Sequence, residues 1–98
     1  MYVSIKPSTS AGKKMMAVFY DTAKKKVKTT HFGASGYEDY TTHGDLQRKR
    51  SYIARHTETE NWNDYMSSGS LAKYILWNKP TIKASIDDYM RKFKLKEY

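Results

Sequence analysis

The residue types best able to do chemistry gather in the middle of the chain. His31, His43 and His56 flank a stretch that holds Glu38, Asp39 and Asp45, with Glu58 and Glu60 just beyond it. Histidines and carboxylates brought together can bind zinc or activate water for hydrolysis. The candidates for a catalytic centre are therefore His31, His43 and His56 with Asp39 or Asp45, in a small hydrolase or nuclease whose side chains converge within about 5 Å. The spacing speaks against that reading. The histidines stand twelve and thirteen residues apart, which matches no ligand motif, and a His near the end of a strand or helix is more often a hydrogen-bonded structural residue. The chain has no Cys, which excludes disulfides and thiolate metal sites, and no Ser lies in a nucleophile-elbow pattern. No motif calls for a metal or a cofactor, and a protein without enzymatic activity is the leading expectation.

A second kind of chemistry is the recognition of anions. Gly12-Lys13-Lys14 invites a phosphate-loop reading, but Pro7 stands where the first Gly is required and no Ser or Thr follows the Lys, so the pattern fails. The bulk charge is more informative. Eighteen Lys and Arg against ten Asp and Glu give a formal charge of +8, the balance expected of a protein that meets polyanions. This charge is uneven: residues 1–32 carry +6, residues 33–70 carry −2 and residues 71–98 carry +4. Lys13, Lys14, Lys24, Lys25, Lys26 and Lys28 lie in the first segment, and Arg48, Lys49, Arg50 and Arg55 form a second cluster. These ten are the candidate nucleic-acid contacts. The competing reading makes the lysines a solvated turn and a charged strand edge that discourages aggregation.

Those side chains must be held by a fold. Tyr2 to Lys6 alternates as a strand, Lys14 to Asp21 carries the run Met15-Met-Ala-Val-Phe-Tyr20, and Val27 to Phe32 alternates again. Asp21 to Lys24 joins the last two at hairpin length, so an antiparallel three-stranded meander is expected over residues 1–32, with Lys24-Lys-Lys26 at a hairpin tip. Residues 33–44, rich in Gly and Tyr, read as a loop without regular structure. Asp45 is a plausible N-cap for a helix with Leu46, Ile53 and Ala54 on its apolar side. Thr57-Glu-Thr-Glu60 fits a capping box that starts a second helix bearing Trp62, Tyr65 and Met66. Ser67-Ser-Gly-Ser70 reads as a flexible break, Leu71, Tyr74 and Ile75 as a third helix halted by Pro80, and Ile82, Ile86, Tyr89, Met90 and Phe93 as the stripe of a fourth. Asp87 to Arg91 and Asp88 to Lys92 are helix-spaced ion pairs. The expected class is α+β, a meander with three to four short helices packed on one face, in one domain spanning 1–98 whose helical part covers 45–98.

Ninety-eight residues suit a single core, and 14% aromatic residues are too many for a disordered chain. No apolar run approaches the roughly 18 residues of a transmembrane helix and no signal-peptide core opens the chain, so membrane insertion is not expected. Helix-turn-helix recognition is not supported either, because the second expected helix is aromatic and acidic where a reading helix would be polar and basic. Contacts to nucleic acid should fall on the backbone. Tyrosines among the basic segments could in addition stack the bases of a single strand, although most rings fall on expected core faces.

Two stretches carry a family resemblance. His31-Phe-Gly-Ala-Ser-Gly-Tyr-Glu-Asp-Tyr-Thr41, running through His43, Asp45, Arg48-Lys49, Tyr52-Ile-Ala-Arg-His56 and Glu60-Asn-Trp62, resembles a family of small uncharacterised basic proteins of nucleocytoplasmic large DNA viruses that infect algae and protists. Ile75-Leu-Trp-Asn-Lys-Pro-Thr81 with Ala84-Ser-Ile86 is similar to the C-terminal signature of that family, while Met66 to Lys73 is less aromatic than its pattern. The resemblance implies a viral origin and leaves the chemistry open. It makes the viral genome or the virion a sensible context, within the cytoplasm or nucleus of the infected host. The leading expectation is a non-enzymatic accessory protein that binds nucleic acid by sequence-independent phosphate contacts; with about five phosphates engaged, log affinity would fall with log salt at a slope near −4 to −5. The alternative is a minor virion or capsid-associated structural protein that docks on an acidic protein partner around Trp62 and Trp77.

Overall fold

The three expected strands form where the sequence alternates. A computed structural model describes residues 1–57 and 61–98, with β1 at Tyr2–Pro7, β2 at Lys13–Tyr20 and β3 at Lys26–Ala34. The strands run antiparallel, with Val3 opposite Phe19, Ile5 opposite Ala17 and Met15 opposite Phe32. That register puts Val3, Ala17, Phe19 and Phe32 on one face, and all four are buried in the main apolar cluster. The class is α+β, as the sequence reading expects.

The sheet gains a fourth strand that alternation did not reveal. β4, at Lys96–Glu97, pairs in parallel with β1 and closes the order β3-β2-β1-β4. It is reached through a left-handed turn: Lys94 takes φ 55°, its amide bonds to Arg91 O, and the Leu95 amide bonds back to Met90 O at 2.8 Å. This is the Schellman arrangement, which normally announces itself by a Gly. Here a Lys fills the position.

Residues 33–44 are more ordered than expected. β3 continues to Ala34, and α1 (Tyr40–His43) follows, with Asp39 and Thr42 forming a reciprocal capping box. At Gly33, φ is +76°, a conformation strained for any residue with a side chain, and a Cβ there would also stand 2.6 Å from Leu76 Cδ1, which would have to shift. α2 (Leu46–His56) is capped by Asp45, whose carboxylate accepts from the Gln47 and Arg48 amides. Its expected apolar side stays out of the core. No residue of α2 is buried, and Leu46 is 47% exposed.

The second expected helix is replaced by turns at residues 61–67. The Asn61 side chain accepts from the Asn63 amide and that of Asp64 from the Met66 amide, so these side chains capture donors that a helix would use. The capping box proposed over Thr57–Glu60 depends on residues 58–60, which lie outside the described residues. Tyr65 and Met66 still pack on the core.

Ser67-Ser-Gly-Ser70 is a helix start, not a break. Ser67 caps α3 (Ser68–Leu71) by accepting from the Ser70 amide, and Ser70 is itself buried and donates to Asn61 O. Serine chemistry suits N-caps as well as loops, which is why composition misled. α3 runs directly into a π-helical segment, Ala72–Leu76, that buries Ile75 and Leu76 and ends at Trp77. α4 (Ile82–Lys92) is capped by Thr81 and lays Tyr89 into the core beside Ile86, Met90 and Phe93. Its expected ion pairs do not form among the described residues: Asp87 lies 3.7 Å from Lys83, and Asp88 accepts from Asn78 Nδ2. Burial pushes the Tyr89 phenol far above its ordinary range, with Tyr65 and then Asp64 adding to the effect, while its hydroxyl donates to Tyr65 O.

Candidate nucleic-acid interface

The two basic clusters lie at opposite ends of β2. Lys13 opens that eight-residue strand, and the Lys24-bearing turn lies beyond its other end, about 23 Å away along a strand of normal rise. At the far end, Asp21 builds the turn. Its carboxylate accepts from the Ala23 and Lys25 amides at 2.9 Å each, and its backbone bonds to both Lys24 and Lys25. Lys24 is held at φ 63°, with its ammonium 5.3 Å from the centre of the Tyr2 ring. A register irregularity follows, in which Phe19 faces Lys28 and Tyr20 faces Lys26, leaving Val27 unpaired and 52% exposed. Bulges of this kind sit at sheet edges and re-aim side chains. Lys24, Lys25, Lys26 and Lys28 are all exposed, and none has a carboxylate partner among the described residues.

The α2 end is built differently. A cleft of about 860 Å³ opens between α2, the start of β2 and the π-helical segment, with Lys13, Arg48, Arg55, Tyr52, His56 and Trp77 in its walls. Three of the six cations here are engaged. Lys14 pairs at 2.7 Å with Asp39, whose side chain is 4% exposed and also accepts from the Thr41 amide and hydroxyl. Arg48 reaches Glu38 at 2.9 Å across the surface. Lys49 donates to Asn78 O at 2.6 Å and lies 4.9 Å from the Tyr40 ring centre. Burial, then Lys79 and Arg50, lower the pKa of that ammonium. Lys13, Arg50 and Arg55 remain exposed. Lys14 and Asp39, read in the sequence as a phosphate contact and a catalytic acid, together tie the loop after β3 to the sheet.

The histidines do not converge. His31 stands opposite Met16, on the sheet face turned away from Phe32 and the helices, and bonds through Nδ1 to Ser8 Oγ at 2.7 Å. His43 uses Nδ1 to accept from the Asp45 amide, while its Nε2 is buried without a hydrogen-bond partner among the described residues. His56 stacks on Tyr52, which stacks in turn on Trp77 at 4.3 Å and 4°, and His43 is tilted against Trp77 at 5.4 Å. This ring ladder fastens α2 to the π-helical segment. No group of three or more His, Asp or Glu among the described residues is placed to hold a metal. Trp77 is thus committed within the fold, and Trp62 lies beneath the Lys73 ammonium at 3.7 Å, so the patch expected around the two tryptophans is not an open one. Burial, with a smaller push from Lys92, lowers the pKa of Lys73.

Fold and surface define a small α+β protein with a four-stranded mixed sheet, helices on one face and, at a hairpin turn, a lysine cluster without carboxylate partners among the described residues. The chain belongs to a family of unknown function, DUF5754, whose model matches residues 3–56, the span from β1 to the end of α2. No curated protein and no solved structure matches it. Among the described residues, no helix is long and apolar enough to cross a membrane.

Proposed function

We propose that the protein binds nucleic acid by sequence-independent phosphate contacts, centred on the β2–β3 hairpin. The observation that carries this reading is the set Lys24, Lys25, Lys26 and Lys28, four exposed cations in five residues without a carboxylate partner among the described residues. A turn fixed by Asp21 holds them clear of the core, so binding phosphate breaks no ion pair among the described residues. Arg50, Arg55 and Lys13 extend the reach at the other end. The resemblance to basic proteins of large DNA viruses supplies a context: an accessory protein of the infected host's cytoplasm or nucleus, carried also in the virion.

Fluorescence anisotropy on a labelled duplex at several salt concentrations tests this. Four phosphate contacts predict a slope of log affinity against log salt near about −3.6. Binding that is absent at low salt, or indifferent to salt, would overturn it. Equal affinity for poly-glutamate would point instead to an acidic virion protein as the partner.

A further inference from the structure

The sheet has a second face, turned away from the helices, where Ser8 and Thr9 of the β1–β2 loop bond to His31 and Met16 at one end. Register places Tyr2, Ser4, Lys6, Met16, Val18, Tyr20, Thr29 and His31 there, opposite in sense to Val3, Phe19 and Phe32. Met16 and Val18 are buried but lie outside the apolar cluster that the helices share with the other face. Around them stand three tyrosines. Tyr20 and Tyr98 stack with centres 3.5 Å apart and planes within 9°, Tyr98 is 55% exposed, and Tyr2 is the direct cross-strand neighbour of Tyr20. The cations fall on the same face. Lys26 is the partner of Tyr20, Lys96 is the partner of Tyr2, Lys6 follows Ser4 by strand alternation, and the Lys24 ammonium lies over the Tyr2 ring. Among the described residues, no strand position sharing this face carries a carboxylate, since Glu97 is in register with Val3 on the other side.

We propose that this face is a platform for single-stranded nucleic acid, on which bases stack against Tyr98 and Tyr2 while Lys6, Lys24, Lys26 and Lys96 contact the phosphates. The inference rests on the hairpin reading above and specifies its ligand. An exposed ring such as Tyr98, bordered by cations, suits a single strand, whose bases are free to leave their own stack; a duplex keeps its bases inside and offers only phosphates. In the unbound protein the Lys24 ammonium occupies the Tyr2 face. Moving it to a phosphate uncovers that ring for a base, so the two contacts form together.

The test is anisotropy with a labelled twelve-nucleotide oligo-dT and a twelve-base-pair duplex at one salt concentration, using the wild type, Tyr98→Ala, Tyr98→Phe and a variant with Lys24, Lys25, Lys26 and Lys28 all changed to Gln. The platform predicts that oligo-dT binds more tightly than the duplex. Tyr98→Ala should weaken oligo-dT at least about fivefold while duplex affinity stays within about twofold, and Tyr98→Phe, which keeps the ring, should bind as the wild type does. Tyr98 is exposed, and near-ultraviolet circular dichroism will verify that its variants remain folded. Wild-type affinity of Tyr98→Ala for oligo-dT, or a duplex preference in the wild type, overturns the platform alone. Failure of the wild type to bind either DNA, or lysine-variant binding unchanged on both, overturns the hairpin reading as well.

Discussion

The two ends of β2 carry similar numbers of cations and use them in different ways. At the α2 end, Lys14 neutralises a buried carboxylate, Arg48 spans the surface to Glu38, and Lys49 is partly desolvated against Asn78 and Tyr40. At the hairpin end, a single acid is present in the turn, and it bonds to backbone amides, leaving the lysines without a carboxylate partner among the described residues. A cation that already has a partner must lose it before meeting a phosphate, whereas a solvated one only releases counterions. Charge density along the chain therefore does not measure the charge available for binding. Lys14, Arg48 and Lys49 are held within the fold, and on the proposed reading the hairpin cations are the ones that serve recognition.

Stability measurements separate the two roles most sharply. Lys14→Met leaves Asp39 buried without its countercharge and should cost about 3 kcal/mol in urea denaturation, whereas changing all four hairpin lysines to Gln should alter stability by less than about 1 kcal/mol. Equal losses at the two ends would erase the distinction. Gly33→Ala should cost about 2 kcal/mol, from its left-handed backbone and the collision with Leu76; with Leu76 also shortened to Ala, the penalty of the glycine change should shrink in a double-mutant cycle.

The shared core has its own signature in alkali. The Tyr89 phenol is held neutral in the fold above its ordinary pKa, so the unfolded chain loses that proton first and stability falls as pH rises beyond about 10, with a slope approaching about 1.4 kcal/mol per pH unit. Tyr89→Phe should flatten that slope in pH-dependent denaturation. Lys49 works in the opposite sense. Its folded pKa is lowered, so between that value and its ordinary value near 10.5 stability rises with pH, an increment that Lys49→Gln should remove. The smallest expected change is Lys94→Gly, which should raise stability by about 0.5 kcal/mol by relieving the left-handed lysine before β4.

Strand alternation made the meander legible, and the Asp45 cap and the Ile82 to Phe93 stripe made α2 and α4 legible. What sequence reading missed depends on side chains whose local chemistry has two outcomes. Ser67 caps a helix where it read as a linker, Asn61 and Asp64 divert backbone donors where a helical aromatic spacing was expected, and Lys94 turns the chain where Gly is usual. At the candidate site, the lysine hairpin was visible as composition and turn length. The engagement of Lys14 by Asp39 was not, because a contact across 25 positions leaves no local pattern. Nor was the tyrosine-bearing face visible as a unit, since Tyr98 reaches Tyr20 only through the unforeseen β4.

The most direct test compares the salt dependence of duplex DNA affinity for three proteins: the wild type, the four-lysine hairpin variant, and a variant with Arg48, Arg50 and Arg55 changed to Gln. The account predicts that the hairpin variant loses more than about a hundredfold in affinity near 0.1 M salt and most of the slope, while the α2 variant stays within about tenfold of the wild type. A larger loss from the α2 variant than from the hairpin variant would contradict it and move the interface to the cleft end.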